Sequence, residues 1–346
     1  MAAQYGELSN LLPLTYKRMI AAWLEEDCPS LDYGGFVVSE VEGEAKLLGK
    51  SKAIQWPYLG LPGTATLFLN NNPGSNASHL CALFRGIVAG VPFFNEVFAQ
   101  LDCTVEWKIK EGDEIQPITI CAIVRGPMRK LLLGERVALN ILARCSGIAT
   151  KTSSLLTILR SHGWNGILAG TRKTTPGFRL VEKYAILVGG ADPHRHDLSS
   201  MTMLKDNHVW ACYNKDKVSH TSGENITIAD AIPSAVHAAR AAGGFAVKIE
   251  VECRNLEEAN AAVGAGADIV MLDNFSPDGV RDAALQLKDE WDAKGKPRGS
   301  FLVEVSGGLR EDNVADFACE DVDILSTSSI HQGVGIVDFS LKVSVK

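Results

Sequence analysis

Lys248-Ile249-Glu250-Val251-Glu252 is the stretch whose reading decides the fold, because it alternates strictly. In an extended strand, Lys248, Glu250 and Glu252 share one face while Ile249 and Val251 share the other. A half-exposed strand would give the charged face to water. The neighbouring sequence argues otherwise. From Thr150 onward, strand-like segments at residues 167–171, 201–204, 247–252, 269–273, 301–306 and 324–326 alternate with helix-like ones, notably 228–242, 256–265, 277–293 and 312–319. Such alternation predicts parallel strands with outer helices. The helices cover the outer face, so the charged face of 248–252 lines a lumen, where charges must pair with each other or with a ligand. A Lys248–Glu250 pair is the structural reading; Glu252, nearest the strand's end, is the functional candidate. Almost every strand ends in polar residues: Thr171-Arg172, Lys205-Asp206, Glu252, Asp273-Asn274, Ser306-Gly307-Gly308 and Ser326. A β/α barrel shows this pattern around its catalytic face, whereas an open sheet concentrates such residues near a switch point.

The chain's 346 residues suffice for two packed domains, and 46% hydrophobic with 22% charged residues is ordinary for a globular protein. A formal net charge of −7 argues against general nucleic-acid binding. No apolar run approaches the roughly 20 residues that cross a bilayer. The N-terminal stretch ending in Glu25-Glu26-Asp27 does not read as a secretory signal. Eight scattered cysteines without a Cys-x-x-Cys pair argue against zinc and a disulfide framework, and fit a reducing compartment, cytoplasmic or nuclear.

Before the alternating region the reading is less regular. Residues 14–26 have helical spacing, Asp32-Tyr33-Gly34-Gly35 is a turn, and Phe36-Val37-Val38 opens a strand. Residues 53–79 are rich in breakers, including Asn70-Asn71-Asn72-Pro73-Gly74, and read as an inserted surface loop or as a flaw in the gene model. Residues 97–123 read as strands and turns. Pro127 stands where a helix begins, and residues 128–149 form that helix, with a short connection near Thr150. On it Arg136, Asn140 and Arg144 make one polar stripe.

Charge is concentrated elsewhere. Residues 170–208 gather Arg172, Lys173, Arg179, Lys183, Arg195 and Lys205 beside His194, His196 and His208, in an acidic chain. A cationic cluster punctuated by Gly and Pro points to a polyanionic ligand, since guanidinium forks suit carboxylates and phosphates. Asp273 and Glu252 at neighbouring strand mouths make a carboxylate pair able to stabilise a developing cation. Ser306-Gly307-Gly308, followed by a helix from Asp312, reads as an anion cradle of backbone N–H groups, with Ser326-Thr327-Ser328-Ser329 adding hydroxyls. No Cys or carboxylate spacing around the three histidines completes a zinc set.

Thr171-Arg172-Lys173-Thr174-Thr175-Pro176-Gly177, His194-Arg195 and Leu204-Lys205-Asp206-Asn207-His208, occurring in this order, resemble quinolinate phosphoribosyltransferase. The resemblance extends over nearly the whole chain apart from residues 53–79. It implies an incomplete parallel β/α barrel with an N-terminal α/β sandwich: residues 1–148 for the sandwich, 149–330 for the barrel, and 331–346 as a tail returning to the N-terminal domain. It implies decarboxylating phosphoribosyl transfer from 5-phosphoribosyl-1-pyrophosphate to quinolinate in NAD biosynthesis. Arg172, His194, Arg195 and Lys205 would hold the dicarboxylate. Lys173 would meet the leaving pyrophosphate, Thr174 would be a further substrate-binding residue, and Glu252 and Asp273 would meet the ribose hydroxyls and a donor-borne Mg2+. Ser306, Gly307, Gly308 and Ser328 would hold the phosphate. Lys173, Glu252 and Asp273 carry the catalytic expectation. Family members commonly have glycine at the position of Ser328; fungal members resemble Ser328-Ser329-Ile330-His331-Gln332-Gly333 more closely. Glu135-Arg136-Val137-Ala138-Leu139-Asn140 resembles the helix whose arginine reaches a neighbouring subunit's site, which implies a homo-oligomer, a dimer or a hexamer of dimers. His196 and His208 receive no role. The alternatives are a related pyrophosphorylase acting on another base, or a non-catalytic sugar-phosphate-binding barrel.

Overall fold

The computed structural model describes residues 6–50, 86–116, 118–219 and 227–345, with the side chains of 216–219 and 345 outside that description. The segment read as an insertion, 53–79, lies outside the described residues. Contacts divide the chain into two units: Met1–Ser154, Thr174–Gly190 and Ile330–Lys346 form one, Leu155–Lys173 and Ala191–Ser329 the other.

In chain order the first unit begins with α1 (Tyr16–Asp27), α2 (Tyr33–Val38) and β1 (Glu42–Gly49), followed by β2 (Gly86–Ile87), α3 (Val91–Ala99), β3 (Thr104–Trp107), β4 (Glu114–Ile115) and β5 (Thr119–Pro127). The long helix α4 (Met128–Ser161) comes next, its residues from Leu155 on being counted with the second unit. Residues 36–38, expected to open a strand, instead end α2. The Asp32 side chain accepts the Gly35 N–H at 2.7 Å and caps the helix, and the strand starts only at Glu42. The connection expected near Thr150 is helical. The Thr150 hydroxyl donates back to the Ser146 carbonyl at 2.7 Å, and the helix runs on to Ser161 without a Pro or Gly-Gly break.

Among the described residues, four antiparallel strands form this unit's larger sheet, in the order β12-β1-β5-β3, where β12 is Phe339–Val345, and β2 pairs with β4 in a separate antiparallel pair. Alternation in β1 buries Ala45 and Leu47. The core is completed by Phe93, Phe94 and Phe98 of α3 and by Leu131 and Leu142 of α4, all nearly inaccessible to solvent. Glu111 ties the start of α3 to the β3–β4 turn: its carboxylate accepts the N–H groups of Gly90 at 2.7 Å and Val91 at 2.9 Å. Burial pushes that carboxyl up to about 7 against the pull of the two donors.

The second unit is built on β6 (Ile167–Ala169), then, beyond α5 (Arg179–Val188) of the first unit, β7 (Thr202–Leu204), α6 (Asp206–Ser219), α7 (Ile228–Gly243), β8 (Ile249–Cys253), α8 (Leu256–Ala265), β9 (Ile269–Asp273), α9 (Pro277–Ala293), β10 (Leu302–Ser306) and β11 (Ile324–Ser326). Its helices start where the sequence supplies caps. Thr227 and Asp230 form a reciprocal capping box, Asn255 accepts from Glu258, and Ser276 precedes Pro277 and accepts from Gly279.

The six strands pair in parallel, in the order β6-β11-β10-β9-β8-β7. Chain order therefore runs around the sheet, and among the described residues β6 and β7 are the two ends that do not pair. This is the incomplete barrel, within a mixed α/β fold. The helix expected at 312–319 is only a 3-10 turn, Val314–Phe317. Its residues Val314 and Phe317 are buried, but Asn313 makes no side-chain cap and the run ends at Ala318 with extended backbone.

Glu111→Ala leaves two amides at the start of α3 without their acceptor. We expect it to lower unfolding stability by roughly 1–3 kcal/mol, measured as a shift of the urea midpoint at unchanged slope.

Candidate active site

The lumen of the second unit is layered. At its base Met201, Ile269 and Ile324 pack with Ala169 and Leu302. Above Ile269 on β9, alternation brings Met271 and then Asp273 to the same face; above Leu302 on β10 it brings Glu304 and then Ser306.

The break between β6 and β7 is partly filled by the chain itself. Asp192 makes a parallel bridge with Ala169: its N–H donates to the Leu168 carbonyl at 2.8 Å, and the Gly170 N–H donates to its carbonyl at 2.9 Å. Two residues on, His194 takes a left-handed backbone, with φ +58°, rarely adopted by a residue with a side chain. The Asp192 carboxylate accepts the His194 N–H at 2.6 Å. The imidazole Nδ1 accepts the Arg195 N–H at 2.8 Å, which places the ring proton of the neutral form on Nε2. That Nε2 lies 3.3 Å from the Glu304 carboxylate and 3.7 Å from Glu250.

Glu250 and Glu304 are fully buried, and neither Glu250 oxygen has a hydrogen-bond partner among the described residues. Burial first, and the neighbouring Glu304 second, hold the Glu250 carboxyl well above the usual carboxylate range. Arg195 stands over this pair, with Nη2 3.1 Å from the Met203 sulfur. Burial pulls its pKa down, the Arg172 charge adds to that, and the two glutamates oppose it. Two guanidiniums close enough to repel, in a half-buried setting, constitute a receptor for a flat anion.

A second group sits at the mouths of β7, β8 and β9. Lys205 donates to Glu252 across adjacent strands. The Lys205 N–H is accepted by Nδ1 of His208 at 3.0 Å, which pins the residue at the start of α6. Asp273 is pushed up by burial and then by Glu252, while Lys205, Asn274 and Lys173 pull it down. Lys173, Lys205, Glu252 and Asp273 thus share one electrostatic neighbourhood.

Next to them, Ser306 pairs with Asp273 and leads into Gly307 and Gly308, whose φ values are +104° and +66°. A Cβ on Gly307 would stand 2.5 Å from Asn274 Oδ1 and 3.0 Å from its backbone nitrogen, so only glycine fits. Asn274, itself at φ +59°, donates through its N–H to the Ser306 carbonyl at 3.2 Å. The Thr327 hydroxyl donates to the Leu309 carbonyl at 2.7 Å, which brings the loop before Ser328 against the glycine loop.

The structure therefore brings together Arg172, His194 and Arg195, and beside them Lys173, Lys205, Glu252, Asp273 and the Ser306–Gly308 loop. Three expectations change. The Lys248–Glu250 pair does not form: Lys248 precedes β8 and is exposed, while Glu250 points into the lumen. The cradle at 306–308 has no helix behind it, so its N–H groups act without a helix dipole. Carboxylates do complete a three-donor set around His194, with one donor atom each from His194, Glu250 and Glu304 within 4.8 Å of one another. Local spacing hid that set because its members lie far apart in sequence, Glu250 on β8, Glu304 on β10 and His194 in the segment before β7. Glu304 was the residue missed, although its alternation with Ser306 carried the signal.

Thr174 and Arg136 belong to the first unit. Thr174 accepts from Arg179 Nε at 3.0 Å. Arg136 is exposed, whereas Arg144 of the same stripe donates to the carbonyls of Val334 at 2.8 Å and His331 at 2.7 Å, a structural role. His196 is exposed beside Asp197.

Comparison with known proteins settles the family. The C-terminal and N-terminal domain models of quinolinate phosphoribosyl transferase match residues 148–342 and 62–146. The chain belongs to the quinolinate phosphoribosyl transferase family. It is 41% identical over 336 residues to nicotinate-nucleotide pyrophosphorylase (carboxylating) of Homo sapiens, covering 97% of this chain and 94% of that one. The enzyme of the same name from Dictyostelium discoideum is 40% identical over 353 residues, at 97% and 99% coverage. Among solved structures, NadC from Streptococcus pyogenes superposes with a TM-score of 0.74 at 28% identity, covering 97% of this chain and 98% of that one. The family fold is thus the incomplete barrel with its antiparallel-sheet unit.

Gly307→Ala tests the glycine loop. The left-handed φ and the Asn274 contact together should cost about 1–3 kcal/mol of stability, read by thermal or urea unfolding, whereas Gly295→Ala, with open space around its Cβ, isolates the backbone part.

Proposed function

We propose that this protein transfers the phosphoribosyl group of 5-phosphoribosyl-1-pyrophosphate to the ring nitrogen of quinolinate. Pyrophosphate and carbon dioxide leave, and nicotinate mononucleotide, a precursor of NAD, is formed. The relatives' name describes the same chemistry from the nucleotide side, as pyrophosphorolysis with carboxylation. The observation that carries the reading is the pairing of two neighbouring guanidiniums, Arg172 and Arg195, with the carboxylates Glu252 and Asp273 at adjacent strand mouths.

On this reading no protein nucleophile is needed, because the pyridine nitrogen attacks C1 of the ribose as pyrophosphate departs. Arg172, Arg195 and Lys205 hold the two carboxylates of quinolinate, with His194 beside them. Glu252 and Asp273 face the ribose hydroxyls and the positive charge that builds at C1. Lys173 meets the pyrophosphate, while Ser306, Gly307, Gly308 and Ser328 take the 5-phosphate. Gathering two polyanions against their repulsion is the protein's main task. Once the nitrogen is quaternised, its charge stabilises the carbanion left by loss of the adjacent carboxylate, which then takes a proton.

Mg2+ fits the donor set, since Glu252 and Asp273 are hard oxygen ligands and a cation would offset both the burial and the Glu252 charge that push Asp273 up. When bound with the donor, the ion neutralises charge on the leaving pyrophosphate. Cysteine usage supports a cytoplasmic or nuclear setting.

Purified protein given quinolinate, 5-phosphoribosyl-1-pyrophosphate and Mg2+ should release pyrophosphate and carbon dioxide in equal amounts. Turnover of nicotinate in preference to quinolinate would select the alternative of another base, and binding without turnover the non-catalytic barrel. Arg195→Ala should weaken quinolinate binding by about 1.5–3 kcal/mol; an unchanged affinity in folded protein would remove Arg195 from the clamp.

We further propose that Arg136 acts on a partner subunit's site, so that the smallest active unit is a dimer. Inactive Arg136→Ala chains mixed with inactive Glu252→Ala chains should recover part of the activity, because one site per mixed dimer keeps both residues. Absence of recovery after verified subunit exchange would refute sharing.

A further inference from the structure

We propose that Glu304 is a positioning residue of the dicarboxylate clamp, acting through His194 on Arg195. The inference rests on the function proposed above and adds a residue to it. Three features of the barrel unit support it: the gap in the sheet, the backbone turn at His194 and the double commitment of its ring.

The segment carrying His194 and Arg195 occupies the break between β6 and β7, where sheet hydrogen bonds stop at Asp192. Beyond that bridge, the Asp192 carboxylate and the His194 ring each take a backbone N–H of residues 194–195. The backbone takes its left-handed turn at His194, and that turn sets the direction in which Arg195 leaves.

Both ring nitrogens of His194 are committed. Nδ1 takes the Arg195 N–H at 2.8 Å, and Nε2 faces Glu304 at 3.3 Å, on a strand two places from β6 in the sheet. The imidazole is thus a strut across the lumen, with Glu304 at its foot and the Arg195 backbone at its head. Buried as it is, Glu304 Oε2 meets the Nε2 proton in a medium where water does not compete for it. Glu250, at 3.7 Å, adds a weaker contact from β8.

Two variants and one spectrum test this. Glu304→Leu removes the acceptor at similar volume, and Glu304→Gln keeps an oxygen for the Nε2 proton. In folded Glu304→Leu, the KM for quinolinate should rise roughly tenfold or more, as for a lost contact to a charged group. The affinity for 5-phosphoribosyl-1-pyrophosphate, measured by calorimetry, should stay unchanged. Glu304→Gln should restore the quinolinate KM. An unchanged KM in Glu304→Leu, or equal damage by both variants, would overturn the proposal. If Glu304→Leu does not fold, the wild-type protein still decides. Long-range 1H–15N spectra should show His194 as the Nε2–H tautomer, and a proton on Nδ1 would refute the strut. So would a stoichiometric divalent ion that Glu304→Gln loses, because Nε2 would then be a metal ligand without a proton. Lack of turnover in wild-type protein, with the Nε2–H tautomer present, would instead count against the proposed reaction.

Discussion

A sheet that stops one hydrogen-bonded pairing short of closure is the constraint on which the second unit depends. Six parallel strands succeed one another around the lumen, and β6 and β7 do not pair. A free strand edge exposes donors and acceptors that a folded chain must satisfy or cover. Here the main chain of Asp192 does so for β6, and its side chain then bends the backbone at His194. The edge that a full barrel would consume is turned into the support for Arg195. Incomplete closure and the cationic mouth are therefore linked by construction.

The layering of the lumen arises from the same geometry. Helices cover the outside of the strands, so whatever alternates inward has no access to bulk water except at the mouth. Apolar residues fill the base, Glu250 and Glu304 occupy the middle, and the charged residues of the mouth stand above them. Burying two acids is unfavourable unless something compensates. Arg195 above them and His194 between them supply part of that compensation, and they gain from it in turn. The acids offset the repulsion that Arg172 imposes on Arg195. A site that binds anions must hold its cations together before the anion arrives, and buried acids beneath are a means of doing so.

Much of this was legible in the sequence because the relevant signals are local. Strict alternation in 248–252 and polar residues at successive strand ends report a lumen and its mouth, and helical spacing reports 228–242, 256–265 and 277–293. The errors fall where local signals compete. Phe36-Val37-Val38 has strand propensity, but Asp32 with Gly34-Gly35 caps a helix through it. Residues 312–319 have helical composition, yet with Asn313 making no cap they form only a 3-10 turn. The His194–Glu304 contact spans 110 residues of sequence, so no spacing rule could find it. Glu250 was visible as an inward charge, but its partner was sought nearby at Lys248, because sequence proximity is the only proximity a single chain displays.

Lys205 and Glu252 show how the two groups of site residues are kept compatible. In this structure they neutralise each other across the mouths of β7 and β8, with Glu252 largely buried and Lys205 more open. On the proposed reading each has a ligand of its own, a carboxylate for the lysine and ribose hydroxyls for the glutamate. Binding then exchanges one set of charge contacts for another instead of ionising or burying a new charge. Such exchange keeps the desolvation cost of assembling two polyanionic substrates low, because the charged groups are already half out of water. It also explains why an acidic protein can present a cationic site: the surplus positive charge is confined to the mouth, over acids that the fold has already buried.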